Sequence, residues 1–528
     1  MFVAVLAAGF VFLVVGRYRW FFHDEWDFLA GRDGGDIADL LNSHNEHWST
    51  LPILAYRALY RAVGLRSYAP YRALLLALHL TAAVLLRVIM RRSGVNPWIA
   101  TAAAAVFVLF GSGYANLLWA FQIGFVGALV FGLAHLLLAD HDGPVDRRDG
   151  FALVAGLAGL LSSAVALTMI PVVGLSVMIR RGWQVALLHT APFAVLYVAW
   201  LAHYRDQHTS GGVGYTPYDI SGPRELARFV ERGARAAVEA MGQLPGAGWA
   251  LVALLAVGLP LAYGRLDWAQ RRTLLSAPAS LLVGAFLFFV VSGVARAARF
   301  GAAYAEQSRY LYLFAALALP AVAIAADAIA RRWRLLFPAM LVLLLAGIPG
   351  NVHTLLQQRS TERAMQLEYR RLILTLPRVP VAARVPPSMR PEQQLAKPLT
   401  LGWLLDGVRS GRVPKPSNDT PVDRATASLH LALYQQPDAF GTKACRNRTT
   451  PLHMQLKAQE AIGIHGVVQV VYTTPTGTRS RPVTYEPDEI VVVKGGRTLP
   501  APRLLALTGP LTLDVDSANP HTPVDLCL

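Results

Sequence analysis

Hydrophobic residues in this chain fall in long blocks separated by short polar breaks. Eleven mostly apolar stretches lie near 2–20, 71–90, 98–113, 118–139, 150–163, 164–179, 184–204, 246–264, 273–294, 310–330 and 334–350, the fifth and sixth being short. A bilayer span needs about 20 such residues, so the pattern predicts a bundle of about eleven membrane helices. The first stretch has no basic run before it and no small-residue cleavage site after it, which reads as an uncleaved helix rather than a signal peptide.

The polar breaks set an orientation. Arg91-Arg92, Arg147-Arg148, Arg180-Arg181, Arg271-Arg272 and Arg331-Arg332 occupy every second connection, whereas "GSGYANLLW" at 111–119 has no basic residue. The positive-inside rule then places the N-terminus in the cytoplasm and the C-terminus outside. Three long segments fall outside, at 21–70, at 205–245 and from 351 onward; long loops weigh little in that rule. Within them "IADLLNSHNEHWSTLPILAYRALYRAVG" has the apolar spacing of two short interfacial helices, and "ELARFVERGARAAVEAMGQL" is similar.

The pattern changes after residue 350. "HTLLQQRSTERAMQLEYRRLILTL" predicts an amphipathic helix, and the Pro-rich stretch 377–398 a linker. Residues 399–528 predict a small exported domain, α/β or mostly β, because "GVVQVVYTTPTGT" and "EIVVVKGGRTL" are β-branched runs bounded by Gly, Pro and Thr. The expected organisation is a mainly α, polytopic transmembrane bundle over 1–350, a helix and linker over 351–398, and an exported domain over 399–528.

Composition agrees with a bilayer protein: 54% of the 528 residues are apolar and only 16% charged, against about a quarter charged in soluble domains. The formal charge of +16 fits loop arginines and contact with anionic membrane lipid, and gives no reason to expect nucleic acid. Two cysteines, Cys445 and Cys527, exclude a disulfide-rich scaffold and a Cys-based zinc cluster. Two readings of them stay open: a bridge closing a loop of about eighty residues, worth up to about 4–5 kcal/mol in the chain-entropy model, or two unpaired thiols.

Three polar constellations interrupt the apolar pattern. "HDEWDFL", 23–29, places Asp24, Glu25 and Asp27 with His23 just past the first helix. One carboxylate is enough for an N-cap, and acids beside a membrane tend to be functional. Desolvation there raises a carboxyl pKa, which suits a general base, with Asp24 the first choice. "HNEHWSTLP", 44–52, puts His44 and His47 on one face if helical, with Glu46 alongside. It is either a polar acceptor-binding surface or a metal site completed by Asp24 or Asp27; the acceptor surface is favoured, with no cofactor. "ARAARFGAAYAEQSRYLYL", 295–313, carries Arg296, Arg299, Arg309 and Tyr310 at the mouth of a late span. Guanidinium groups bind phosphate oxygens in a fork, although lipid-headgroup snorkelling gives the same pattern. Gln122 in "LLWAFQIGF" could touch a sugar or simply bond between helices. Nucleotide-binding and hydrolase motifs of the Walker, G-x-G-x-x-G, H-E-x-x-H and G-x-S-x-G types are missing from any fitting context.

Taken together, the chain resembles the GT-C superfamily of integral-membrane glycosyltransferases. These include protein O-mannosyltransferases, the aminoarabinose transferase of lipid A, oligosaccharyltransferases and mycobacterial arabinosyltransferases. "HDEWDFL" is similar to the acidic motif of that superfamily and "QSRYLYL" to its donor-phosphate motif. "HDEWDFL", "HNEHWSTLPIL" and "LLWAFQIGF" together resemble uncharacterised actinobacterial members. The resemblance implies a bacterial plasma-membrane enzyme that takes a polyprenyl-phosphate sugar and glycosylates a hydroxyl of an extracytoplasmic glycan, lipid or protein. It implies Asp24 as the base and Arg309, with Tyr310 beside it, at the phosphate, assisted by Arg296 or Arg299. A single displacement with one base predicts inversion at the anomeric carbon. Metal-dependent members have a further acidic motif in a second outer loop; "ANLLWAFQ" has none, which argues against metal. The competing readings are a transporter or flippase of lipid-linked saccharides, and a non-catalytic envelope scaffold. The first expects mid-bilayer ionisable groups and repeated halves, and the second does not need eleven spans.

Overall fold

All eleven apolar stretches are helical in the structure, a computed structural model that describes every residue except 1, 33–35, 45–46, 205–220, 437–446, 459, 487–502, 520–523 and 528. Seven of these helices are long and apolar enough to cross a membrane: Ala69–Arg92, Ala120–Ala139, Trp183–Tyr204, Ala247–Gly264, Trp268–Phe300, Ser308–Arg332 and Arg334–Arg378. The other four, Phe2–Val15, Pro97–Val108, Arg147–Leu160 and Ala166–Arg181, have 12 to 16 residues. At 1.5 Å per residue they reach about 18–24 Å, short of the roughly 30 Å hydrocarbon core. Caps fix where two of them start. The Asn96 side chain accepts from Trp98 N–H, and Asp146 and Asp149 form a reciprocal capping box.

The chain divides into two compact units, the first made of Met1–Arg19, Asp33–Leu59 and Tyr68–Arg363. At its centre is Ser308–Arg332, whose apolar stretch is entirely buried. Small residues permit this close packing: a Cβ on Gly258 would lie 2.4 Å from the carbonyl oxygen of Ala325, so only glycine fits there. The two ends of the bundle are tied by hydrogen bonds of different kinds. At one end Ala120 N–H donates to Tyr68 Oη at 2.8 Å and Ser112 N–H to Asn351 Oδ1 at 2.9 Å. At the other, arginines cap helix carbonyls: Arg92 to Leu137 O at 2.6 Å, Arg272 to Arg180 O at 2.6 Å and Arg331 to Gly94 O at 2.6 Å. The paired arginines of the alternate connections therefore hold the helix ends as well as carrying charge.

The second unit comprises Trp20–Arg32, Tyr60–Ser67 and Ala364–Leu528. Among the described residues its β part has nine strands: β1 (Leu433–Gln436), β2 (Asn447–Thr449), β3 (Leu452–Leu456), β4 (Ala461–His465), β5 (Val468–Thr473), β6 (Val483–Tyr485), β7 (Arg503–Ala506), β8 (Leu511–Ser517) and β9 (Asp525–Cys527). They form two antiparallel sheets, ordered β1-β7-β4-β9-β2 and β3-β8-β5-β6. The period of two is visible on β5 and β8, where Val468, Val470 and Tyr472 and then Leu511, Leu513 and Val515 point into the core. β5 is the run expected from "GVVQVVYTT". "EIVVVKGGRTL" lies outside the described residues, as does Cys445, and with it the question of a bridge to Cys527. The Pro-rich stretch 377–398 begins with two 3-10 turns, Leu376–Arg378 and Pro380–Arg384, and buries Val379, Ala382, Val385 and Met389.

Candidate functional site

In the first unit the candidate residues gather at the end of the bundle that holds Tyr68 and Asn351. Trp268–Phe300 stops at Gly301, whose φ of 76° favours glycine. A 3-10 turn, Ala302–Glu306, reverses the chain into Ser308–Arg332, so Arg296 ends one helix as Arg309 begins the next. The turn is held from the side by the Arg232–Glu306 ion pair at 2.5 Å. Arg309 donates to Tyr304 Oη at 2.7 Å and lies 5.8 and 5.5 Å from the ring centres of Tyr304 and Tyr310. A neutral phenol thus fixes its guanidinium without neutralising it, and among the described residues Arg309 makes no ion pair. Tyr310 is buried, its ring edge-on to Phe288 at 5.2 Å.

The histidine loop approaches the same end. It is held by Trp48 stacked on Trp200 at 5.1 Å and by Trp200 Nε1–H donating to Leu41 O at 2.7 Å. Two short helices flank it, Ile37–Leu41 and Thr50–Val63, but His44 and His47 are not on a helix. Their backbones pair with each other through two 2.9 Å hydrogen bonds, so the shared helical face expected from i, i+3 spacing does not form. Glu46 lies outside the described residues. His44 is buried and edge-on to Phe121 at 5.4 Å, and Phe121 stacks on Trp119 at 4.9 Å. Gln122, next in the chain, is buried at the start of Ile123–Ala139.

His47 has a defined protonation state. Ala164 N–H donates to its Nδ1 at 3.4 Å, which leaves the ring proton on Nε2. Burial, helped by the charges of Arg296 and Arg309, holds its pKa down to about 3. The structure therefore brings together two guanidinium groups and a neutral imidazole N–H donor. Arg299, on the same helix as Arg296, is exposed, with its guanidinium 5.1 Å from the Phe300 ring centre.

The acidic motif belongs to the second unit, where aromatic packing holds it. Trp20 and Trp26 are buried and lie edge-on to each other at 5.8 Å; Trp26 meets Trp403 at 6.1 Å, and Trp403 stacks on Tyr60 at 5.1 Å. Trp20 N–H donates to Gln366 Oε1 at 3.2 Å. His23 turns the chain with a φ of 50°, uncommon for a non-glycine residue, and opens the short helix Glu25–Leu29. The three acids then diverge. Glu25 is fully buried and its Oε2 accepts from Phe22 N–H at 2.8 Å. Asp24 stands at the N-cap position, but its side chain makes no cap bond. Carboxylate oxygens of Asp24 and Asp27 lie within 4.8 Å of each other. Burial, then the Asp24 charge, pushes Asp27 up to about 7.

Two features of this arrangement were not read from the sequence. The amide of Ala164, which sets the His47 tautomer, is invisible in a residue type. Trp119 and Phe121 were passed over for their neighbour Gln122, although two aromatics flanking Ala120 in "LLWAFQ" were the available signal.

No family model matches the sequence, and no curated protein does. Among solved structures the chain is similar to the apo crystal structure of ArnT from Cupriavidus metallidurans, at 12% identity and a TM-score of 0.46, over 82% of this chain and 91% of that one. A likeness at that level bears on neither activity nor residue roles.

Proposed function

We propose that this protein is a membrane glycosyltransferase of the extracytoplasmic face that moves a sugar from a polyprenyl-phosphate donor to a hydroxyl of a cell-envelope acceptor. The observation that carries this reading is the trio of Arg296, Arg309 and neutral His47 at one end of a bundle of membrane-length helices. A phosphate joined to a long apolar chain needs such a pairing of cationic donors and hydrocarbon-facing helices. In this reading Arg309 and Arg296 stabilise negative charge growing on the departing lipid phosphate. His47 Nε2–H adds a further hydrogen-bond donor.

Proton removal from the acceptor is assigned to the acidic motif. Asp27, whose carboxyl is pushed up to about 7 by burial and the Asp24 charge, lies beside Asp24, which we assign as the base. Asp24 accepts the hydroxyl proton as that oxygen forms its bond to the anomeric carbon and the bond to the phosphate oxygen breaks. One base and one displacement give inversion. Glu25, committed to the Phe22 amide, has no part in the chemistry.

Consumption of radiolabelled polyprenyl-phosphate sugars by membranes with matched expression of wild type or Asp24→Asn tests the reading. We expect turnover by the wild type and a loss of about 10²- to 10⁴-fold in the variant, with donor binding retained. Equal turnover by the two, or none from any of several donors, overturns it.

A further inference from the structure

Two helices of the first unit carry the same short pattern, an apolar stripe that ends in arginine. On Phe2–Val15 the outward-facing Phe10 and Leu13 are 69% and 71% exposed, and the exposed Arg17 continues their line in the 3-10 turn Gly16–Tyr18. Steps of three and four keep these residues on one face. The helix has no polar residue, so that face meets hydrocarbon. On Ile348–Thr375 the exposed Leu356 is followed by Arg359 and Arg363 at the same steps.

The two lines converge on one aromatic ring. The guanidinium carbons of Arg363, Arg359 and Arg17 lie 4.1, 5.4 and 5.7 Å from the centre of the Tyr18 ring. The face of a phenol attracts cations, but the ring carries no charge, and three guanidinium groups gathered around it repel one another. Glu362, their neighbour in sequence, is taken by an ion pair with Arg19. Among the described residues Arg17, Arg359 and Arg363 make no ion pair. The helix end does not hold them either. Carbonyl oxygens at a helix C-terminus attract cations, but those of Phe12 and Gly16 accept from the buried Arg72, at 2.6 and 2.5 Å. Snorkelling lifts single arginines out of hydrocarbon, and gives no reason for three to share one ring.

Unmatched positive charge at the end of a hydrocarbon-facing stripe fits a ligand that is anionic at one end and apolar at the other. A soluble anion would leave the stripe unused, and an acidic protein cannot enter hydrocarbon to cover it. We infer that Arg17, Arg359 and Arg363, set around Tyr18, bind the phosphate of an anionic phospholipid whose acyl chains lie along Phe10 and Leu13. Guanidinium forks match phosphate oxygens, and each arginine close to an anionic lipid surface is worth about fivefold in binding. The site uses none of Arg296, Arg309 and His47, and it does not rest on the transfer reading.

The test uses the full chain, delipidated in a neutral detergent. Phosphatidylglycerol and phosphatidylcholine of equal chain length are added, and bound lipid is counted by native mass spectrometry. The readout is the ratio of the two affinities within one variant, which unequal folding of different variants does not alter. Wild type should prefer phosphatidylglycerol by about tenfold or more. Arg17→Gln and Arg363→Gln should each cut that preference by about three- to fivefold, and the two together should nearly abolish it. Arg224→Gln, which removes an exposed charge from the helix Pro223–Gly242, should leave it intact. Inorganic phosphate at about 10 mM, enough to fill a millimolar anion site, should not displace the lipid. The inference is overturned if wild type binds both lipids alike, if the double variant keeps the preference, or if Arg224→Gln loses as much of it. Displacement of the lipid by inorganic phosphate would also overturn it, since the arginines would then read a free anion. Failure of donor turnover leaves these outcomes untouched.

Discussion

The two ends of the first unit's bundle both concentrate arginine, and they use it in opposite ways. At one end Asp149, 1% exposed, accepts from Arg181 Nη1 at 2.5 Å, from His189 Nε2 at 2.9 Å and from its own capping partner Asp146 N–H at 2.8 Å. His135 then bonds to His189 at 3.1 Å. Asp140 likewise takes Arg180 at 2.9 Å, with Ser176 and Ser276 each at 3.0 Å. At the other end Arg309 is held by a phenol and two ring faces, beside a histidine kept neutral. Arginine matched by a buried carboxylate is part of the scaffold; Arg309, positioned by neutral groups, has no ion-pair partner among the described residues. The residue type is common to both ends, and the partner decides its use.

That contrast can be broken by mutation, and the largest effect belongs at the matched end. Asp149→Ala strands Arg181 and His189 in a buried setting and should cost about 3–5 kcal/mol, read as a lower unfolding midpoint of the purified protein in detergent. The donor affinity of the surviving folded fraction should be unchanged. A smaller effect, of opposite kind, follows at Arg309. Arg309→Lys keeps the charge but loses the fork, and should raise KM for a polyprenyl-phosphate sugar by about tenfold while the unfolding midpoint stays put.

The acid pair gives a pH-dependent effect of a few degrees. Asp27 has a folded pKa of about 7, above its ordinary value of 3.8, so the folded state binds the proton more tightly than the unfolded one. Its stabilising contribution is full below pH 3.8 and is lost as pH rises through about 7. Asp27→Asn should therefore raise the unfolding midpoint at pH 8 and give no gain at pH 4; an equal shift at both would remove the burial argument. The smallest effect is expected at Arg299, which is exposed: Arg299→Ala should change stability by less than about 0.5 kcal/mol and leave KM as it was.

Much of the bundle was legible in the sequence because bilayer spans are written in runs of one residue class, which need no knowledge of partners. The same holds for β5, where alternation alone identifies the buried face. The H-x-x-H loop was not legible, because helical spacing of His44 and His47 says nothing about whether the backbone is helical; Trp48 docking on Trp200 and the His44–His47 backbone pair override it. Nor could "HDEWDFL" separate its three acids. Glu25 turns inward because Trp20 and Trp26 pack against Tyr369 and Trp403, more than 300 residues away in sequence.

The central claim is that Arg309 stands ready for a lipid-borne phosphate, and one binding measurement tests it most directly. Affinities for a polyprenyl phosphate and for the matching polyprenol are compared in wild type and Arg309→Gln, each in nanodiscs. The account predicts that wild type prefers the phosphate by about tenfold or more, and that Arg309→Gln loses most of this preference without losing stability. No preference in the wild type, or an undiminished one in the variant, would contradict it.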